Sequence, residues 1–247
     1  YCIEDYERSF SGMRSAEDYG DEFSRFALLV KARYAVPFAS NHCFLHKDTL
    51  RFNRTAAVPA AVSARCNALA AEQHLPTECV VMAPGSKWSD EEGFSIVPFD
   101  YEKRGEYVEM LRERYRDKLE ATYAEEEAER ADFAAFSAYF QGFLAAVPAP
   151  VRRWMLGRIV FSTTDPDGPH HFLVDGPKGR VERLAAAPAG EIVIEVPTRV
   201  LNDCAKIQMF SVWTASKRLK IKLPEPGMVK RVSLLFSLLD AYELEML

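Results

Sequence analysis

The side chains best suited to bind a metal ion lie between His42 and Asp48. His42 follows a short apolar run, Tyr34 to Phe38, that is typical of a strand, and His46 and Asp48 come shortly after it. Neutral imidazole on a loop leaving a strand is a common metal ligand. We predict His42 as a metal ligand and His46 as a second candidate. One alternative is that His42 is a polar loop histidine bonded to backbone. His46 and Asp48 could support His42 in metal binding, or they could simply start a helix.

The cysteines indicate no further reactive site. The chain has five, an odd number without a CxxC pair, which is typical of reduced thiols in the cytoplasm. Cys43 adjoins His42 and could be a nucleophile, but a small buried apolar residue is the better interpretation. We assign no catalytic residue from the sequence.

Other titratable residues have structural explanations. His170 and His171 are adjacent, so on a strand they point to opposite faces and cannot easily bind one ion. Asp165-Pro-Asp-Gly168 is typical of a β-turn, and the acidic run Glu125 to Glu129 of a solvated helix face. The sequence contains no glycine-rich phosphate loop and no GxSxG motif.

The overall charge restricts the partners. A net charge of -5 and a pI near 5.7 provide no large basic field, so we expect neither nucleic acid nor anionic membranes as partners. No apolar run reaches the length of a membrane span, which leads us to expect a soluble, cytoplasmic protein that binds a small molecule.

The elements that position these residues indicate an α/β first half. Apolar residues at Phe23, Phe26 and Val30 predict an amphipathic helix within residues 4–33. A second helix is predicted between Ala60 and His74, and a buried strand at Cys79 to Met82. A further helical stripe begins at Arg104 and reaches Tyr123, where the acidic run interrupts it.

The second half has the pattern of an α+β module with an antiparallel sheet and helices on one side. The sequence predicts strands at 157–163, 171–175, 191–196 and 219–223, and helices at 198–207 and 228–245. A stripe from Phe133 to Val147 predicts another helix, which could be core or the lining of an apolar tunnel. We place the domain boundary between residues 1–125 and 126–247.

Two motifs carry a resemblance for the first half. The segment from Ala35 to His46, followed by Ala83-Pro-Gly-Ser-Lys-Trp88, resembles the final strands of metallo-β-lactamase-fold proteins, in the branch of the sialic-acid-nucleotide hydroxylases and lactonase-like hydrolases. The resemblance implies part of an αββα sandwich with a divalent zinc, iron or manganese centre. The HxHxDH motif that usually binds this metal is absent, so most ligands would come from residues outside this chain.

The second half resembles a sterol-carrier-protein-2-like module. The resemblance rests on Glu191 to Val196, Ala215 to Ile221 and the last helix, although the glycine expected before Lys217 is missing. It implies an apolar tunnel between sheet and helices. Some alkyl-sulfatase-like hydrolases join these two modules in this order.

Two hypotheses follow. The first is the C-terminal portion of a metal-dependent hydrolase or oxygenase, either a fragment or one chain of a split enzyme. It would complete a metal site and help to bind substrate, with the N-terminal half of the same enzyme or a partner chain supplying the rest. The second is a non-catalytic protein that binds an apolar ligand or acts in assembly. Residues upstream of Tyr1 would discriminate between them.

Overall fold

The structure, a computed structural model, describes residues 15–38, 42–54 and 56–247. Helices contain 51% of the chain and strands 17%, so the protein is a mixed α/β protein. It divides into two compact units between Leu119 and Glu120. We call the described residues up to 119 the first unit and residues 120–247 the second unit. The predicted boundary between residues 125 and 126 stays a prediction.

The first unit combines a helix pair with two small sheets. Helix α1 begins at a capping box, in which the Ser15 hydroxyl accepts from the Asp18 amide at 3.0 Å and the Asp18 carboxylate accepts from the Ser15 amide at 2.6 Å. The elements in chain order are α1 (Ala16–Leu29), β1 (Tyr34–Ala35), α2 (Pro59–Glu72), β2 (Glu78–Cys79), β3 (Lys87–Ser89), β4 (Gly93–Ser95) and α3 (Arg104–Arg114). Strands β1 and β2 are parallel, and β3 and β4 form an antiparallel pair.

The buried face of α1 differs from the prediction. The helix is present, but Phe26 is 66% exposed and Val30 is 54% exposed. Leu28 and small residues, among them Ser24 and Ala27, are buried instead, with the Ser24 hydroxyl bonded back to the Gly20 carbonyl. Phe23 of the predicted stripe is partly buried and packs against the cluster that contains Ala27. A Cβ at Gly20 would lie 3.6 Å from the Val62 side chain of α2, so α1 presents this face to α2.

The helical stripe after Arg104 is interrupted at a different place than predicted. Helix α3 ends at Arg114, Tyr115 forms the break, and α4 (Arg116–Ala128) continues through most of the acidic run. Tyr115 leaves the helical conformation at φ −106° and ψ 18°. The acidic run therefore does not end the helix.

The second unit is built on a five-stranded sheet in the order β7-β6-β5-β8-β9. The strands are β5 (Arg158–Asp165), β6 (Gly168–Asp175), β7 (Arg180–Leu184), β8 (Ile192–Glu195) and β9 (Lys220–Lys222). The predicted strands are present, but the expectation of an antiparallel sheet is wrong because β8 pairs in parallel with β5. After β7 the chain crosses from the sheet edge and enters β8 in the same direction as β5.

Helices cover one face of this sheet and bury an aromatic core. They are α5 (Phe133–Ala146), α6 (Ala149–Val151), which runs into a π-helical turn at Arg152–Leu156, α7 (Thr198–Ile207) and α8 (Val229–Glu243). The Phe133 stripe is core: Phe136, Phe140 and Phe143 have no exposed area. Among the described residues no single helix could span a membrane, whereas Phe133–Ala146 and Ala149–Leu156 pass together by length and composition but bend by 115°.

Candidate functional site

The loop that carries His42 is held by polar side chains of the first unit. The His42 side chain is exposed, and its backbone carbonyl accepts a hydrogen bond from the Arg104 guanidinium. Arg104 also donates to the Asn53 carbonyl at 2.7 Å. The Asn53 amide in turn binds both backbone groups of Phe44, at 2.9 and 2.7 Å. These bonds fix the loop from residue 42 to residue 54.

His46 takes part in a local turn. Its Nδ1 accepts the Asp48 amide at 3.2 Å and lies 3.7 Å from the Asp48 carboxylate. A neutral imidazole that accepts at Nδ1 carries its proton on Nε2 and offers no lone pair there. Thr49 and Leu50 both donate to the His46 carbonyl, and a 3₁₀ turn follows at Leu50–Arg54. This arrangement favours the alternative in which His46 and Asp48 begin a short helical turn.

The described residues do not assemble a metal centre by themselves. Across residues 15–38, 42–54 and 56–247, no three His, Cys, Asp or Glu side chains are grouped so that they could hold an ion. Residues 39–41 of the quoted motif, and Cys2, lie outside the described residues. The donor set therefore does not fit a complete site, and His42 stays a predicted ligand.

Three cysteines are buried thiols. Burial raises the pKa of Cys79 to about 11, and burial together with Asp203 and Glu243 raises the pKa of Cys204 to about 12. Cys66 has no exposed area. Thiols with a pKa as high as those of Cys79 and Cys204 are weak nucleophiles at neutral pH. Cys43, which we interpreted as a small buried apolar residue, is only partly buried.

Asp165 organises the β5–β6 turn. Its carboxylate accepts from the Asp167 amide, the His170 ring and the Ala131 amide, each at 2.8 Å. Burial would raise the pKa of Asp165, but these hydrogen bonds outweigh it and lower the pKa. The predicted β-turn is confirmed. His171 instead contacts the Ser162 hydroxyl at 2.8 Å, so the two histidines serve different partners.

The acidic run is not simply a solvated face. Both Glu126 oxygens bind the Arg218 guanidinium, at 2.7 and 2.8 Å, and the two side chains are only 14% and 12% exposed. Glu129 accepts from Arg199 at 3.1 Å and from Asn202 at 2.8 Å. These partners lie 70 or more positions away in the sequence, so no local pattern indicates them.

Glu243, at the end of α8, is a partly buried junction that sequence reasoning missed. It accepts from the Tyr139 hydroxyl and the Phe210 amide, each at 2.5 Å, and from the amide and hydroxyl of Ser211. Burial, and next the hydrogen bond to Glu243, raise the pKa of Tyr139 far above its usual value. Glu243 thus ties α8 to α5 and to the turn after α7.

Trp213 lies in the aromatic layer between the sheet and α8. Its ring stacks on Phe161 with centroids 5.3 Å apart and meets Phe236 of α8 edge-on at 5.5 Å. It is 1% exposed, and its Nε1 has no hydrogen-bond partner within the described part of the chain. A buried, unpaired indole N–H costs roughly 1–3 kcal/mol.

The second unit is thus an α+β module whose helices enclose an apolar layer containing one unpaired donor. Part of the chain is similar to two solved structures of a sterol-carrier-like protein from Aedes aegypti. The crystal structure of Sterol Carrier Protein 2 Like 2 is 12% identical, with a TM-score of 0.32, and the similarity covers 41% of this chain and 91% of that one. The solution structure of palmitated SCP2L2 is 11% identical, with a TM-score of 0.33, and covers 42% and 93%.

Sequence comparisons add no family. No family model matches the chain, and no curated protein matches it. Nothing in the comparisons supports the metallo-β-lactamase resemblance, which stays a prediction.

Proposed function

We propose that the second unit is a sterol-carrier-like module that binds an apolar molecule carrying one hydrogen-bond acceptor, between the sheet and helix α8. The observation that carries the proposal is the unpaired Nε1 of Trp213 inside an otherwise apolar layer. An oxygen of a ligand would satisfy this donor and recover the cost of leaving it unpaired. The ligand chain would replace the aromatic contacts that now fill the layer.

Such a molecule would enter beside the C-terminal end of α8. At its C-terminal end Leu244 is 69% exposed and Met246 is 73% exposed. The turn after α7 adds Met209, 40% exposed, and Val212, 42% exposed, and Glu243 links this turn to α8. Methionine adapts its shape to varied apolar partners, and clustered exposed apolar side chains often mark a binding site. Opening would begin where Glu243 releases Phe210 and Ser211.

Titration with two fluorescent probes tests the proposal. Cis-parinaric acid has a carboxylate acceptor, and diphenylhexatriene is a hydrocarbon of comparable length. We expect saturable binding of both to the full chain. Trp213→Phe retains the ring stack and removes the N–H, so it should weaken cis-parinaric acid roughly five- to tenfold and leave diphenylhexatriene unchanged.

Trp88→Phe, in the first unit, is the matched control and should change neither affinity. Absence of binding by both probes would overturn the proposal. Equal affinity of wild type and Trp213→Phe for cis-parinaric acid would overturn the role of the indole.

For the first unit we propose that a strand from outside the described residues adds to the free edge of β1 and completes its sheet, as the metallo-β-lactamase resemblance implies. Arg33 and Ala35 carbonyls accept from β2, so the backbone groups of Tyr34 and Val36 point to the opposite edge, where the described residues supply no strand. The outer edge of β2 is covered, because the Asn67 side chain binds the Cys79 amide at 2.7 Å and its carbonyl at 3.0 Å. Parallel sheets of two strands are marginal alone.

Hydrogen exchange tests this second proposal. Tyr34 and Val36 amides should exchange fast in this chain and become protected when a polypeptide carrying an HxHxDH segment is supplied. In that assembly His42→Ala should lower the bound metal, whereas His74→Ala should not. An assembly that binds metal equally in both variants would remove His42 from the site, and unchanged exchange would refute strand addition.

A further inference from the structure

The π-helical turn of the second unit projects two large apolar side chains into solvent. Trp154 is 76% exposed and Met155 is 50% exposed, whereas the next residue, Leu156, has no exposed area and anchors the turn in the core. Turns of π-helix are rare and occur frequently at functional sites. An indole with this exposure protrudes from the surface and does not line a groove.

The fold builds this turn firmly. Gly176 donates to the Gly157 carbonyl at 2.9 Å, and a Cβ at Gly176 would lie 2.6 Å from that carbonyl and 2.8 Å from the Arg152 carbonyl. Only glycine permits so close an approach of the β6–β7 turn to the π-helical turn. Gly157 itself has φ +71°, which favours glycine as well. The position of Trp154 is therefore set by backbone packing.

Three arginines on or beside the π-helical turn have no acidic partner in the described residues. The Arg153 guanidinium lies 5.7 Å from the centre of the Trp154 ring. The Arg152 guanidinium lies against Gly179, and Arg231 Nη1 would be 3.0 Å from a Cβ at Gly157.

Other charged residues of the β6–β7 turn and of the strands that flank it are paired with acidic side chains. Arg158 contacts Glu191 at 3.0 Å and buried Asp175 at 3.8 Å, and Lys178 lies 3.9 Å from Asp175. In a further ion pair, Arg180 Nη2 lies 3.0 Å from Glu182 Oε2. Within the described residues, the three arginines are thus positive charges at this turn that no ion pair balances.

We infer that Arg152, Arg153, Trp154, Met155 and Arg231, which we call the Trp154 surface, dock on an anionic lipid bilayer. Tryptophan favours the interface between headgroups and acyl chains, and arginines beside it attract anionic headgroups. Electrostatic attraction acts within about 8–10 Å at physiological salt, so a local cluster outweighs the chain's net charge of -5. A protein partner would instead have to offer a pocket for the protruding indole. The inference is independent of ligand binding between the sheet and α8.

Vesicle sedimentation with the full chain tests the inference. We expect binding to phosphatidylcholine vesicles that contain phosphatidylserine, weak binding to phosphatidylcholine alone, and loss of binding at high salt. The Arg153→Gln/Arg231→Gln pair should weaken binding roughly 25-fold, about fivefold for each charge. Trp154→Ala should weaken it by roughly tenfold. Arg153→Lys retains the charge and should bind nearly as wild type.

Matched controls separate this surface from general charge and aromatic content. Lys206→Gln removes an exposed cation of α7, and Trp88→Ala removes a half-exposed tryptophan of the first unit. Neither should change vesicle binding. Equal binding to both vesicle types, or binding that the Trp154-surface variants leave unchanged, would overturn the inference. Self-association that Trp154→Ala abolishes, without vesicle binding, would also overturn it and identify a contact between copies.

Discussion

Removal of the Glu243 carboxylate should destabilise the second unit more than any nearby acidic substitution. Glu243→Ala leaves the Tyr139 hydroxyl and the Phe210 amide without an acceptor, and both residues are at most 1% exposed. Each buried donor left unpaired costs about 1–3 kcal/mol, so two cost roughly 4 kcal/mol. Ser211 is partly exposed and can bond to water. A loss of this size is a large share of the 5–15 kcal/mol (roughly) that stabilises a typical domain.

Urea unfolding followed by tryptophan fluorescence measures this loss. In a Trp88→Phe/Trp154→Phe background only Trp213 reports, so the signal belongs to the second unit. Glu245→Ala, two residues along and exposed, is the control and should change the free energy of unfolding by less than about 0.5 kcal/mol.

A double-mutant cycle makes the assignment specific. Tyr139→Phe removes one of the two stranded donors, so Glu243→Ala should cost about 1–3 kcal/mol less in that background. Additive costs for Tyr139→Phe and Glu243→Ala, or a Glu243→Ala cost no larger than that of Glu245→Ala, would refute the reasoning.

Three further outcomes follow from the contacts of single residues. The pKa of Asp165 is lowered in the folded protein, so the contribution of this carboxylate to stability is complete above its pKa in the unfolded chain and is lost as the pH falls through its pKa in the folded chain. Asp165→Asn should therefore flatten the loss of stability that is measured below about pH 4. Glu126→Gln should lower the free energy of unfolding, measured in urea, by roughly 2 kcal/mol because it breaks the pair with Arg218. Glu125 is 68% exposed, so Glu125→Gln should lower the free energy of unfolding by under about 0.5 kcal/mol. Cys204, with a pKa of about 12, should resist iodoacetamide at pH 8 until urea unfolds the chain, and rapid labelling of the native protein, followed by mass spectrometry, would contradict its burial.

Local structure in the second unit could be predicted because its signals are local. Helix α7 has the predicted bounds, Thr198 and Ile207, since Pro197 precedes it and the chain leaves it through Gln208 in the left-handed region. Alternation at Ile192 and Ile194 identified β8, because both side chains enter the core.

The pairings between distant segments could not be predicted from one sequence. The parallel register of β5 with β8 depends on where the chain crosses the sheet. Glu126 and Arg218 are separated by 92 positions, and Tyr139 and Glu243 by 104. Sequence periodicity reports which face of an element is apolar and carries no information on these partners. In α1 even the buried face differed, with Ala27 and Leu28 buried and Phe26 exposed.

The two units differ in how completely each pairs its own strand edges and buries its own apolar side chains. This difference decides what each experiment can test. The second unit encloses an aromatic core under four helices, so probe binding and unfolding can be interpreted from its own contacts. The first unit leaves an edge of β1 unpaired by any described strand, and Phe38, just beyond it, is 85% exposed. Because the proposed metal site requires that strand and the HxHxDH segment, the metal-binding role of His42 can be judged only when both are present, whereas the roles of Trp213 and Trp154 can be judged in this chain.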